Sequence, residues 1–209
     1  MKTEYAIPEA LPLSLPAGTN HARRQQVAGL RLEDADLLAF NTQLHAVNAG
    51  APNVDADQIA SLARWLGDLT ADKAEATISL RMARAEALAQ MLDDADWQVP
   101  EATAARGRRL IAALRGSENL IPDATPRIGH LDEALMVELC WAAFEGEVGD
   151  YLDFRRFREA AGFRGNAAEL RTAWEGACVA AASEMLHRHQ VHARGYARPQ
   201  RLEQPFRVC

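Results

Sequence analysis

With 209 residues, 48% of them apolar and 25% charged, the chain has the proportions of a globular fold with one sizeable hydrophobic core or two small ones. A formal net charge of -6 argues against a general nucleic-acid binder, which needs a clustered excess of Lys and Arg to neutralise phosphates. The three cysteines, Cys140, Cys178 and Cys209, show no paired spacing, which argues against a disulfide framework or a zinc site; Cys140 and Cys178 fall in apolar helical runs, where a thiol acts as a small hydrophobe.

Pro8, Pro12 and Pro16 remove backbone donors and turn each preceding residue away from the helix, so residues 1–22 read as an extended arm. The same prolines interrupt what would have to be the continuous apolar core of a signal peptide, and secretion is not expected. A solvated leader is the plain reading of the arm. A partner-docking polyproline strand is the other.

Helical patterning begins at Leu32, with Leu37, Leu38, Leu44 and Val47 among polar residues, and stops at Gly50 and Pro52. A second helix is expected over 55–66, where Ile59, Leu62, Ala63 and Leu66 take the i, i+3, i+4, i+7 spacing of one face, with a turn at Gly67. A long third helix, 71–92, shows a stripe of Leu80, Ala83, Ala87 and Met91, flanked by Leu88 and Leu92. Asp93, Asp94 and Asp96 follow. They lack the glycine and bidentate glutamate of a helix-loop-helix calcium site and read as a solvated helix end. Residues 102–114 form an arginine-rich helix carrying Arg106, Arg108 and Arg109 around Leu110, Ile111 and Leu114, with Arg115 beyond its end and a stop near Gly116.

The segment 120–133 reads as a compact connection. Pro122 ends the incoming helix, Asp123 accepts backbone hydrogen bonds in an Asx-type turn, and Pro126 opens a short helical piece. Gly129 provides either a positive φ or a close backbone approach. Asp132 is then the N-cap of the apolar helix 133–144, with Glu133 in its first turn. The functional alternative gathers Asp123, Asp132, Glu133 and Glu138 as oxygen ligands of a divalent cation, or as a general acid and base. Capping is preferred, because it explains each residue without further assumption, and no cofactor is expected.

A helix over 150–161 places Tyr151, Phe154, Phe157 and Ala161 on one side, a core stripe or, if exposed, a dimer surface. Asn166 and Glu169 have capping-box spacing and open a last helix running to about His189. Of His187, His189 and His192, only the last two share a helical face, and no zinc motif accompanies them. Arg194, Arg198, Arg201 and Arg207 concentrate positive charge in the tail 193–209, a solvated or self-docked segment or a contact for nucleic acid or an anionic membrane surface. No stretch alternates with the two-residue period of a half-buried strand. The apolar run 134–144 is shorter than the roughly 20 residues a membrane-spanning helix needs.

Read in order, Asn119-Leu120-Ile121-Pro122-Asp123, Pro126, Gly129, Leu131, Asp132 and Glu133 resemble the signature D-L-I-P-D-x-x-P-x-x-G-x-L-D-D of the YkvA-like family, a small helical domain of unknown function. Asn119 and Glu133 replace aspartates of that pattern, and the likeness covers residues 106–145 only. The resemblance implies a bacterial protein without an assigned activity, whose relatives are often membrane-associated and in animals are joined to a membrane RING-finger protein.

The expectation is therefore an all-α, single-domain bundle of about seven helices over 23–192, between the arm and the basic tail. The function expected is a non-enzymatic cytoplasmic interaction or scaffolding module that binds a protein partner or itself. The rivals are a metal-dependent hydrolase built on the four acids and a binder of anionic partners through the tail.

Overall fold

The structure is a computed structural model that describes residues 11, 26–27, 29–116, 120–162 and 166–193. The all-α expectation holds: among the described residues there are seven α-helices, α1 (Asp34–Val47), α2 (Ala56–Asp68), α3 (Ala71–Asp93), α4 (Glu101–Leu114), α5 (Leu131–Cys140), α6 (Glu145–Ala161) and α7 (Ala167–Ala193). A 3-10 turn, Trp141–Ala143, links α5 to α6. The only sheet among these residues is a minimal antiparallel pair, β1 (Gln26–Val27) with β2 (Leu30–Arg31), turned by Gly29 at φ 86°. The arm 1–22, apart from a buried Leu11, and the tail from Arg194 onward lie outside the described residues.

The chain divides into two compact units, Met1–Asp153 and Phe154–Cys209, with the boundary inside α6. In the first unit α3 packs against α5 and α4, and α1 against α4 and α5. The α3–α4 pair closes around Gly107: a Cβ there would sit 3.1 Å from Leu92 Cδ1 and 3.4 Å from Leu88 Cδ1, so the missing side chain lets the helices approach. At the centre lies α5, where every residue from Leu131 to Val137 is buried, the charged Asp132 and Glu133 together with the apolar Leu131, Ala134, Leu135, Met136 and Val137.

Local signals account for several boundaries. Asp55 caps α2 in a full capping box: its Oδ1 accepts from Gln58 N at 2.8 Å, and Gln58 Oε1 accepts from Asp55 N at 3.0 Å. The same reciprocal pair opens α7, with Asn166 Oδ1 accepting from Glu169 N at 2.9 Å and Glu169 Oε2 from Asn166 N at 3.3 Å, as the spacing predicted.

Other expectations need correction. Gly67 lies inside α2 rather than at its turn. Leu38 is exposed while Leu37, Phe40 and Leu44 are buried. On α3 the buried positions are Ala74, Ile78, Arg81, Ala85, Leu88, Ala89 and Met91, so the stripe is rotated and Leu80 and Ala83 face outward. Cys140 is buried, and burial pushes its thiol up to about 11, but Cys178 is exposed. Tyr151 and Phe154 are buried while Ala161, at the end of that stripe, is exposed.

Candidate functional site

The connection between α4 and α5 is folded by the backbone itself, on positions the motif supplies. Thr125 N donates to Pro122 O at 2.9 Å, closing a first turn, and Gly129 N to Thr125 O at 2.8 Å, closing a single helical turn that Pro126 opens. Gly129 is required for close approach, not for a positive φ. A Cβ at Gly129 would lie 2.0 Å from Asp123 O and 2.9 Å from Asp123 C, both backbone atoms. The left-handed positions are its neighbours Arg127 at φ 68° and His130 at φ 63°, an uncommon conformation for residues with a Cβ. Arg127 Nη1 donates to Gly67 O at 2.9 Å, tying the turn to the end of α2.

Two roles expected of this segment are not the ones observed. Pro122 does not end the incoming helix, since α4 stops at Leu114. Asp132 is not the N-cap of α5: His130 holds that position, and Asp132 lies inside the first turn, only 4% exposed. Its Oδ2 accepts from Leu120 N at 2.7 Å and more weakly from Ile121 N at 3.4 Å. The carboxylate thus holds the strand of chain entering the motif against the start of the helix leaving it, and so positions buried Ile121.

Glu133, 7% exposed, has no such employment. Its Oε2 and Asp132 Oδ1 are both buried without a hydrogen-bond partner. Side by side, two carboxylates are acceptors only, and a single proton between them turns the contact into a bond. Burial foremost, then the hydrogen bond to Asp132 and the charge of Asp132, raise Glu133 from the ordinary carboxylate range to about 7. Both residues border a cavity of about 20 Å³ beside Phe40, Gln43 and Met136, room for one water.

On its other side Glu133 Oε1 lies 3.4 Å from His130 Nδ1, and Asp123 Oδ1 lies 3.5 Å from the same nitrogen. One ligand atom from each of Asp123, His130 and Glu133 fall within 4.8 Å of one another, the only such group of three metal-ligating side chains among the described residues. Asp123 and His130 are half exposed and border an open groove of about 380 Å³, whose walls include Glu75, Ser79 and Arg127.

The fourth acid does not join them. Glu138 Oε2 accepts from Arg81 Nε and Arg84 Nη1, both at 3.1 Å, and Arg81, 2% exposed, also donates to Thr77 O at 2.9 Å. Arg84 stacks over Trp141 with 4.9 Å to the ring centroid, and burial lowers its pKa against the opposing pull of Glu138. The four acids weighed as the alternative to capping thus fall into two separate clusters. His130, Arg81 and Arg84 were not singled out as site residues. For Arg81 a signal existed, since it continues the series Ala74, Ile78, Ala85, Leu88 at helical spacing.

The remaining candidates are placed simply. Asp94 closes α3, its Oδ1 accepting from Asp96 N at 3.0 Å and its Oδ2 from the Tyr151 hydroxyl at 3.1 Å, in keeping with a helix-end role. His187 and His189 are exposed on α7; the side chain of His192, like Arg194, Arg198, Arg201 and Arg207, lies outside the described residues. On the same helix Val179, Met185 and Leu186 are 67%, 63% and 61% exposed.

Comparison of the chain with protein-family models, with curated proteins and with solved structures finds no match to any of the three. Among the described residues no helix is long and apolar enough to cross a membrane.

Proposed function

We propose that this chain is a non-enzymatic interaction module of the bacterial cytoplasm, with the YkvA-like segment as a structural element, and that it self-associates through α7. The observation that carries the proposal is the exposure of Val179, Met185 and Leu186 on a helix whose residues 175–190 are all exposed. Residues 177–182, Ala-Cys-Val-Ala-Ala-Ala, are apolar all the way round, a pattern that belongs in a buried helix. Val179, Ala182 and Leu186 fall at i, i+3 and i+7, the spacing of a helix-pairing seam, and alanines beside them let a second helix come close. The pairs Arg171 with Glu175 and Glu184 with Arg188 are made within the helix, so pairing need not strand those charges. In the motif, Gly129 and Asp132 act on the backbone, which supports a structural rather than a catalytic role there.

Sedimentation equilibrium of the full chain tests this. The expected result is a concentration-dependent dimer or higher oligomer, converted to monomer by Val179→Glu with Leu186→Glu while the far-ultraviolet circular dichroism of unit 1 helices is retained. A wild-type chain that stays monomeric into the hundreds of micromolar overturns the self-association.

A further inference from the structure

We propose that Asp123, His130 and Glu133 form a binding site for one divalent transition-metal ion, of the zinc or manganese type, with the remaining coordination positions facing the open groove. This is independent of the role given to α7. The geometry is what separates it from an ordinary cluster of acids. His130 Nδ1 stands 3.4 Å from Glu133 Oε1 and 3.5 Å from Asp123 Oδ1. Those separations are long for charge-assisted hydrogen bonds, which run at about 2.7–2.9 Å. A single Nδ1 hydrogen also cannot be aligned on both oxygens at once. They do match the edge of a tetrahedron, since two ligands each about 2.0–2.1 Å from a zinc ion lie roughly 3.4 Å apart.

The second, independent observation is at Glu133. Its side chain is more than nine-tenths buried, and Oε2 meets no hydrogen-bond donor. On the side facing the site, Oε1 of this buried carboxylate has His130 Nδ1, at 3.4 Å, as its hydrogen-bond partner, and a cation between Oε1, His130 and Asp123 would answer its charge directly. Asp132 flanks it, with Oδ2 engaged by the backbone N–H groups of Leu120 and Ile121, and so orients the start of α5 without entering the ligand set. Two carboxylates balance the ion's double charge. One imidazole shifts preference from calcium and magnesium toward borderline first-row ions. Asp123 and His130 are half exposed at the groove of about 380 Å³, so water can reach the ion and complete its shell.

The full chain, stripped with a chelator and dialysed, would be titrated calorimetrically with zinc alone and with manganese alone. Manganese would also be followed by electron paramagnetic resonance. The expected result is one saturable ion per chain, with binding weakened about tenfold or more in each of Asp123→Asn, His130→Gln and Glu133→Gln. Asp72→Asn, an exposed acid in the first turn of α3, should leave it unchanged. Cobalt substitution gives a readout of ligand type: a visible spectrum of mixed nitrogen and oxygen ligation that loses its nitrogen character in His130→Gln. Circular dichroism checks the fold of each variant, and the wild-type titration decides even if a variant does not fold. No saturable binding by folded wild-type chain, or binding equally retained by all three folded variants, overturns the proposal.

Discussion

Glu133 and Glu138 lie five residues apart on the same helix, and their surroundings are opposites. Glu138 meets two guanidinium groups at 3.1 Å, one from a nearly fully buried arginine that also bonds a carbonyl. Glu133 meets Asp132, another carboxylate, and keeps an oxygen without a donor. The first cluster is a lock between α3 and α5 in which one carboxylate is shared by two guanidinium groups inside the protein. The second is left incomplete by the fold. Buried charge by itself therefore says little about function; what distinguishes the two places is whether the chain supplies the counter-charge.

The sharpest way to break this comparison is to make the first cluster resemble the second. Glu138→Ala leaves Arg81 buried without its carboxylate, and urea unfolding should show a loss of about 3–5 kcal/mol. Next comes Gly129→Ala, which drives a methyl into the Asp123 carbonyl and forces the turn to move. A loss of about 3 kcal/mol is expected, with the denaturation midpoint shifted and its slope unchanged.

The reverse experiment relieves the second cluster. Since Glu133 is raised to about 7 in the folded chain from an unfolded value of 4.5, the folded state holds the extra proton between those values. Stability in the presence of chelator should fall as pH rises from 4.5 through 7 and level off above, by roughly 3 kcal/mol in all. Glu133→Gln should abolish that slope and leave the protein more stable than wild type at pH 8, read from urea midpoints at pH 5 and pH 8. The smallest effect calibrates the rest: Asp55→Ala removes a solvent-exposed cap remote from both clusters and should cost about 1 kcal/mol at any pH where the wild-type aspartate is ionised.

Much of the helical layout was legible because it rests on local rules. The α2 face of Ile59, Leu62, Ala63 and Leu66 is buried as its spacing implied, and the Asn166–Glu169 box closes as read. The phase of α3 was not legible. Leu80 looks like a core residue and Arg81 like a surface one, and only the presence of Glu138 on α5, 57 positions away, reverses them. The motif was half legible. Its glycine and its proline do what a tight connection demands, while Asp132 bonds a backbone 11 and 12 residues upstream, a partner no local capping rule can anticipate.

What the amino-acid order determined alone is therefore the all-α class, most helix boundaries and the need for a compact turn at Gly129, because each follows from periodicity, capping and steric room within a few residues. The tertiary structure decided which acids meet. Glu138 went to two arginines of α3, and Glu133 to His130 and Asp132, because packing α3 on α5 and folding the connection back on itself set distances that no spacing along the chain encodes.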